Sequence, residues 1–258
     1  MAEHKNEAVV VDTAAASRLT LQMVPMLAPR DHEAQVRVAA ISLNRGEVSR
    51  ALNTAANGWR PGWDFAGVVE REAANGSGPT AGTEVVGFLA DGAWARFVTA
   101  PVDSLAALPD GLMLAQTATL PVAGLTALHA LRQGGLLLGK KVLVTGASGE
   151  VLAAALGMLA FGGVCVAFGA SASGQTTFDL PPFFRTGQAR LYGLSLFAEL
   201  CAIETASVGL SRLLRLLRLV AAGGLKPRIS VEASWREVGA GRARADGSRL
   251  HRQGGAVS

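Results

Sequence analysis

The sequence predicts a fold of the α/β plus β class, in which a β-rich domain precedes a reduced parallel sheet with helices. Residues 1–110 contain short apolar or alternating segments divided by Gly, Pro, Asn and Asp, a spacing typical of barrels and sandwiches. These segments are VVVD, LTLQMV, AQVRVAAISL, DFAGVVE, TEVVGF and ARFVTA. From Lys140 the pattern changes to strand, helix, strand, which indicates a parallel pair joined by a crossover.

The strands of the second part are expected at Val142–Thr145, within GGVCVAFG (162–169) and at Arg190–Leu194. A helix is predicted at about residues 115–131, with Pro121 near its start and Gly134-Gly135 after its end. The clearest helix covers residues 207–222, where leucines form one stripe and arginines lie off it. Such a helix could lie on a membrane. We favour a helix that covers one face of a sheet, since Gly223-Gly224 ends it.

Composition and charge exclude several classes of protein. The chain has 258 residues and a net charge of +4, but its last 23 residues carry five arginines against Glu237 and Asp246. The body is therefore nearly neutral, and no nucleic-acid partner is expected. Two cysteines are too few for a disulfide framework or a four-cysteine zinc site. The charged N-terminus predicts no secretion signal, hence a cytoplasmic protein. Gly162-Gly163 divides the uncharged stretch 151–174, so no membrane span is expected.

Eight segments, taken in order, resemble the zinc-free, quinone-reductase-like branch of the medium-chain dehydrogenase/reductase superfamily. They are VRVAAISLNRGEV (36–48), PGWDFAGVVE (61–70), GTEVVGF (82–88), GAWARFVTAP (92–101), LPVAGLTALHAL (120–131), GKKVLVTGASG (139–149), GGVCVAFG (162–169) and ARLYGL (189–194). The resemblance implies a GroES-like substrate domain at residues 1–114 and a truncated Rossmann-like nucleotide-binding domain at 115–225. Residues 226–258 would form a C-terminal return segment and a disordered basic tail.

The same resemblance implies hydride transfer from NADPH to a quinone, an enone or another carbonyl compound, and a possible homodimer. Its cofactor-binding residues would be Asn44, Thr126, Gly146, Ala147, Ser148, Gly149, Phe168 and Gly169, and its catalytic residues Asn44 and Tyr192. Each has a structural alternative. Asn44 could be a turn residue that bonds its own backbone, and Thr126 could bond its own helix. Tyr192 could be a buried structural tyrosine, and His129 is expected to be a packed helix residue.

Zinc is not expected as a cofactor. A catalytic zinc needs three protein ligands and an open position. Where zinc-dependent relatives carry Gly-His-Glu, this chain has Gly62-Trp63-Asp64. Asp64 is instead expected to cap a turn or to contact Arg60.

The nucleotide-binding fingerprint is incomplete, which predicts an internal deletion. The third glycine place of the dinucleotide motif falls at Leu152, and FGASASG (168–174) lacks the charged residue that should bind the adenosine ribose. We therefore expect strands two to four to be missing, about three parallel strands to remain, and an apolar face to be exposed. NADPH binding is then weak or lost and activity impaired. The alternative is a catalytically inactive remnant that acts as a binding or dimerisation module.

Overall fold

The computed structural model describes residues 5–144, 150–169, 175–202, 206–229, 231–237 and 255–257. The chain divides into two compact units. The N-terminal unit consists of Met1–Leu125 and Ile203–Ser258, and the inserted unit is Thr126–Ala202. The predicted division into three domains, with bounds at residues 114 and 225, stays a prediction.

The N-terminal unit is built mostly from antiparallel strands. Its strands are β1 (Lys5–Val11), β2 (Leu19–Pro25), β3 (Glu33–Ser42), β4 (Asp64–Arg71), β5 (Glu84–Phe88), β6 (Phe97–Pro101), β7 (Leu105–Ala107), β10 (Glu232–Ser234) and β11 (Gly255–Val257). The first two form a hairpin, and the others form a sheet of order β10-β11-β3-β4-β5-β7 with β6 paired to β3. The six strands predicted from alternation are confirmed.

The central strand β3 organises this sheet. One of its edges pairs with β4 and the other is shared by β6, at residues 33–37, and β11, at residues 40–42. At Gly67 the two backbones approach so closely that an added Cβ would lie 2.1 Å from the carbonyl oxygen of Arg37. The inward side chains form one apolar core that includes Val36, Phe65 and Trp94. This rigid sheet sets the positions of the residues at the end of β3 and the start of β4.

The helices of the N-terminal unit cap and cover the sheet. They are α1 (Arg45–Asn53), α2 (Leu114–Thr117), the first turns of α3 (Pro121–Gln133), and α7 (Ala206–Ala221). The single helix predicted at about 115–131 is therefore two helices. Proline has no N–H and its fixed φ suits the first helical position, so Pro121 begins a new helix.

The predicted helix at 207–222 is confirmed as α7, and it covers a sheet edge. Leu213 and Leu217 are fully buried, and the helix packs against β7 and the short 3-10 turn Val102–Ser104 before it. Its apolar stripe is thus covered by this chain. None of the helices within the described residues has the length and apolar character needed to cross a bilayer.

The inserted unit contains the rest of α3 with α4 (Glu150–Gly157), β8 (Val164–Ala167), α5 (Leu180–Arg185), β9 (Arg190–Gly193) and α6 (Leu196–Ala202). β8 and β9 pair in parallel, from Val164 with Arg190 to Ala167 with Gly193. The strands predicted there are confirmed, and so is the α/β plus β class with a reduced parallel part.

The prediction of a third strand at Val142–Thr145 is wrong for the described residues 142–144. Residues 142–144 are irregular and exposed, and Thr145 lies outside the described residues. A strand forms only where a neighbour satisfies its N–H and C=O groups, and no described strand pairs with residues 142–144.

The predicted disordered tail contains an ordered strand. Gly255–Val257 is β11, which pairs in parallel with β10 and antiparallel with β3. The other residues of the tail beyond Glu237, 238–254 and 258, lie outside the described residues.

Candidate functional site

The first candidate cluster lies where β3 ends and α1 begins. Asn44 precedes α1, and Glu47 lies in its first turn. The Glu47 Oε1 atom accepts hydrogen bonds from the Asn44 backbone N–H at 2.7 Å and from Asn44 Nδ2 at 3.1 Å. The spacing Asn-x-x-Glu is that of a capping box, in which the glutamate reaches back to the residue before the helix. Glu47 therefore fixes both the helix start and the Asn44 side chain.

Asp64, the first residue of β4, joins this cluster from the neighbouring strand. Its Oδ2 atom accepts bonds from the Ser42 hydroxyl and from Asn44 Nδ2, each at 2.8 Å. Its Oδ1 atom accepts the backbone N–H of Val122, in the first turn of α3, at 3.0 Å. The antiparallel pairing of β3 with β4 brings Ser42 beside Asp64.

The alternative contact predicted between Asp64 and Arg60 is wrong. Asp64 caps a helix start instead, where the unpaired N–H groups and the positive end of the helix dipole favour a carboxylate. Arg60 makes no hydrogen bond or ion pair with any described residue.

The two carboxyl groups are fully buried, and their partners are uncharged donors. Burial raises the pKa of Asp64 from 3.8 to about 6, although the bonds from Asn44, Ser42 and Val122 oppose the rise. Burial, and then the nearby Asp64 charge, raise the pKa of Glu47 well above its ordinary value. The Glu47 Oε2 atom has no hydrogen-bond partner within the described part of the chain. The cluster thus favours a bound proton on Glu47.

This cluster limits what Asn44 can offer a ligand. Both amide protons of Asn44 point to carboxyl oxygens, and the residue is buried. Its position before α1 is that of the structural alternative: its side chain accepts the Glu47 backbone N–H in the capping box, and its amide also bonds two carboxyl groups. Its contact with a nicotinamide stays a prediction. Glu47 was not identified from the sequence, although the capping-box spacing NRGE was visible there.

The second candidate cluster lies in the inserted unit, at the carboxyl ends of β8 and β9. Phe168 and Gly169 follow β8 directly. Tyr192 lies on β9, where it pairs with Val166 of β8. The Phe168 side chain is 44% exposed. Gly169 has a φ of +79°, and a Cβ there would meet no atom of the described residues within 4 Å. Among these residues, the edge therefore has an open backbone and an accessible ring. Its contact with a nicotinamide stays a prediction.

Tyr192 is held by a residue that sequence reasoning missed. Its hydroxyl donates a short hydrogen bond to Oε1 of Glu199, on α6. This bond, then burial and the Glu199 charge, raise the pKa of Tyr192. The other oxygen of Glu199 lies 3.8 Å from Nδ1 of His129, which is buried as predicted for a packed helix residue. No sequence motif marks Glu199, because only the turn between β9 and α6 brings it back to Tyr192.

The remaining predicted residues are not brought into either cluster by the described contacts. Thr126 is half-buried on α3, and no hydrogen bond among the described residues uses its hydroxyl. The turn Gly146, Ala147, Ser148 and Gly149 lies outside the described residues. Across the part of the chain that is described, no three His, Cys, Asp or Glu side chains form a group that could hold a metal ion. Zinc independence stays a prediction.

Comparison with known proteins identifies a domain family within the N-terminal unit. Residues 30–110 match the alcohol dehydrogenase GroES-like domain family. Over 133 residues the chain is 35% identical to a mycocerosic acid synthase-like polyketide synthase of Mycobacterium tuberculosis, a match covering 50% of this chain and 6% of that protein. The chain spans less than two thirds of the length of the curated relatives it matches.

Solved structures share the fold at low identity. The quinone oxidoreductase from Coxiella burnetii superimposes with a TM-score of 0.79 at 17% identity, covering 99% of this chain and 100% of that one. The CurK enoyl reductase gives a TM-score of 0.79 at 16% identity, covering 98% and 99%. The chain thus has their fold.

Proposed function

We propose that the chain is a zinc-independent, NADPH-dependent oxidoreductase of the quinone reductase or enoyl reductase type, within the medium-chain dehydrogenase/reductase superfamily. Its substrate is a quinone, an enone or a related carbonyl compound. One observation carries the proposal: Phe168, Gly169 and Tyr192 lie together at the carboxyl edge of the parallel pair. Ligands of open α/β sheets bind outside the carboxyl ends of the strands.

Each residue of this edge has a task in hydride transfer. NADPH, when bound, supplies the hydride, while the protein positions the reacting groups and excludes water. Phe168 offers an apolar face to the nicotinamide, and Gly169 lets the backbone approach it. To act as the proton donor to the carbonyl oxygen of the acceptor, the Tyr192 hydroxyl must turn away from Glu199, to which it donates its proton in this structure. Glu199 is a positioning residue, since it fixes the phenol oxygen and keeps the phenol protonated.

The adenosine half of the cofactor is expected to contribute little, so the proposed activity is impaired. Residues 168–174 carry no charge that could bind the ribose or a 2′-phosphate. Charge-assisted hydrogen bonds are each worth about 1.5–3 kcal/mol. Losing several of them weakens binding by orders of magnitude.

A second candidate function, a non-catalytic binding or dimerisation module, is favoured by the surface of the inserted unit. Five large apolar side chains there are between 71% and 89% exposed. They are Leu136, Leu138, Val144, Met158 and Phe161. Exposed apolar patches on soluble domains mark interaction surfaces. This candidate predicts a homodimer that does not bind NADPH.

A fluorescence titration with NADPH separates the two candidates. The full chain is titrated while its oligomeric state is followed by sedimentation velocity, and turnover is assayed with 1,4-benzoquinone. The oxidoreductase proposal predicts binding in the micromolar range and slow NADPH oxidation. No binding up to about 1 mM, which corresponds to about −4 kcal/mol, contradicts it and leaves the module.

A matched pair of variants tests the location of the site. Phe168→Ala removes the ring at the edge of β8 and β9, and we expect about three- to tenfold weaker NADPH binding from the lost aromatic contact. The control is Phe184→Ala on α5, where the ring is 61% exposed and lies outside that edge. Equal losses in both variants would contradict the assignment of the cofactor to this edge.

A further inference from the structure

The N-terminal unit contains a cavity that the proposed reaction does not use. It has a volume of about 370 Å³ and is lined by residues of β1, β3 and β6 and of the loops around residues 26, 59 and 91. Ser42, Asn44, Glu47 and Asp64 are not among its lining residues. Ligand pockets in proteins have volumes of about 300–1,000 Å³, so the cavity is large enough for a small organic molecule.

The cavity wall includes Arg60, a cation for which the described residues supply no counter-ion. Arg60 is half-buried, and no described residue forms an ion pair or hydrogen bond with it. Its Nε atom is fully buried without an acceptor, whereas its terminal nitrogens are not enclosed in this way. Burial lowers the pKa of the guanidinium. The described residues offer this half-buried guanidinium no acceptor, and an anion in the cavity would supply one.

Two polar groups of the cavity wall are free to meet a ligand. The terminal nitrogens of Arg60 are not enclosed and have no acceptor among the described residues. The Gln35 side-chain amide likewise makes no hydrogen bond with the described residues, and its atoms are not enclosed. Both groups can donate hydrogen bonds, so the cavity suits a ligand that accepts them.

The one carboxylate among the lining residues, Asp91, has a cationic partner. Asp91 lies 3.6 Å from Arg50, and the Arg50 guanidinium stacks over the Trp59 ring at 4.4 Å from its centroid. The charge left for a ligand is therefore that of Arg60. Leu89 and Phe97 supply apolar surface to the same cavity.

We propose that this cavity binds a small organic carboxylate with an apolar body. The carboxylate oxygens accept hydrogen bonds from the terminal nitrogens of Arg60 and from the Gln35 amide, and the apolar body contacts Leu89 and Phe97. The planar guanidinium suits a carboxylate because it can donate two parallel bonds. The proposal does not depend on the oxidoreductase function, since the two sites share no residue.

The test uses 4-phenylbutyrate as the probe and its neutral amide as the matched compound. Isothermal titration of the full chain should detect the carboxylate and give binding at least tenfold weaker for the amide. Arg60→Gln should weaken binding of the carboxylate by about tenfold to hundredfold, the range for a charge-assisted hydrogen bond. Arg37→Gln is the control, because Arg37 is half-exposed, pairs with Glu70 and lies outside the cavity.

A second variant keeps the test decisive if Arg60→Gln does not fold. Leu27 lines the cavity but is 61% exposed, so Leu27→Trp narrows the cavity without disturbing the core and should abolish binding. The proposal is overturned by absence of binding up to about 10 mM carboxylate. It is also overturned by equal binding of the amide, or by unchanged affinity in Arg60→Gln or Leu27→Trp.

Discussion

The buried carboxyl pair makes the stability of the N-terminal unit depend on pH. A group whose pKa is raised by folding stabilises the folded state fully below its unfolded pKa, and this stabilisation is lost as the pH rises through the folded pKa. Burial raises the pKa of Asp64 from 3.8 to about 6. The Asp64 contribution therefore lowers the free energy of unfolding between about pH 4 and about pH 7, by about 3 kcal/mol. The raised pKa of Glu47 acts in the same direction.

The assay is urea unfolding followed by tryptophan fluorescence at several pH values from about 4 to about 8. All four tryptophans, at positions 59, 63, 94 and 235, belong to the N-terminal unit, so the signal reports on that unit alone. Asp64→Asn should remove a decrease of about 3 kcal/mol across this range. Glu47→Gln should also flatten the profile, since a glutamine imitates the protonated acid.

The control for these variants is Glu70→Gln, whose half-exposed carboxylate pairs with Arg37 at 3.3 Å. Its pH profile should follow that of the unchanged chain. The reasoning is refuted if Asp64→Asn keeps the pH profile of the unchanged chain. It is equally refuted if Glu47→Gln loses more stability at pH 8 than at pH 5, because Glu47 would then be ionised when folded.

Two further predictions concern single side chains. Tyr192 is the only tyrosine, so absorbance at 295 nm titrates it alone; its pKa should lie above 10, and Glu199→Gln should lower it by removing the acceptor carboxylate. A Tyr192 pKa unaffected by Glu199→Gln would show that the hydrogen bond does not form in solution. Leu217→Ala leaves a cavity under α7 and should cost about 2–5 kcal/mol of unfolding free energy in the same urea assay. Leu219→Ala, on the same helix and 44% exposed, should cost less than about 1 kcal/mol, and similar losses in both variants would contradict the packing of α7.

Local pattern was sufficient for the β-rich part of the fold. The segments of β3 and β4 are short, largely apolar runs bounded by turn residues. This pattern is sufficient to predict them as strands. The helix α7 was equally visible because its leucines recur at helical spacing. These elements carry their own signal and need little information from distant residues.

Pairing between distant residues could not be predicted in this way. Residues 142–144 have strong β propensity. Residues with such propensity form a strand only when a neighbouring strand pairs with them. The opposite holds for Gly255–Val257, where a short segment in a polar tail becomes a strand because β3 has an open edge there.

The contacts of the candidate site are also of two kinds: local ones that the sequence predicts, and distant ones that it does not. The Asn44 and Glu47 contact is local and follows from the capping-box spacing. The contacts of Asp64 with Ser42 and Val122, and of Tyr192 with Glu199, depend on register and on turns between elements. Charge alone suggested Arg60 as the partner of Asp64, but the strand register presents Asn44 and Ser42 instead.

The pairing of Ala256 with Ile41 has a consequence for how the chain folds during synthesis. The ribosome finishes the inserted unit, residues 126–202, before it synthesises β11, the strand that pairs with residues 40–42 of β3. Closing a loop of this length slows folding, although the entropy cost of closure grows only slowly with loop length. During most of its translation the nascent chain therefore exposes an unpaired strand edge at residues 40–42. Unpaired strand edges favour aggregation, so chaperone binding is expected in this period.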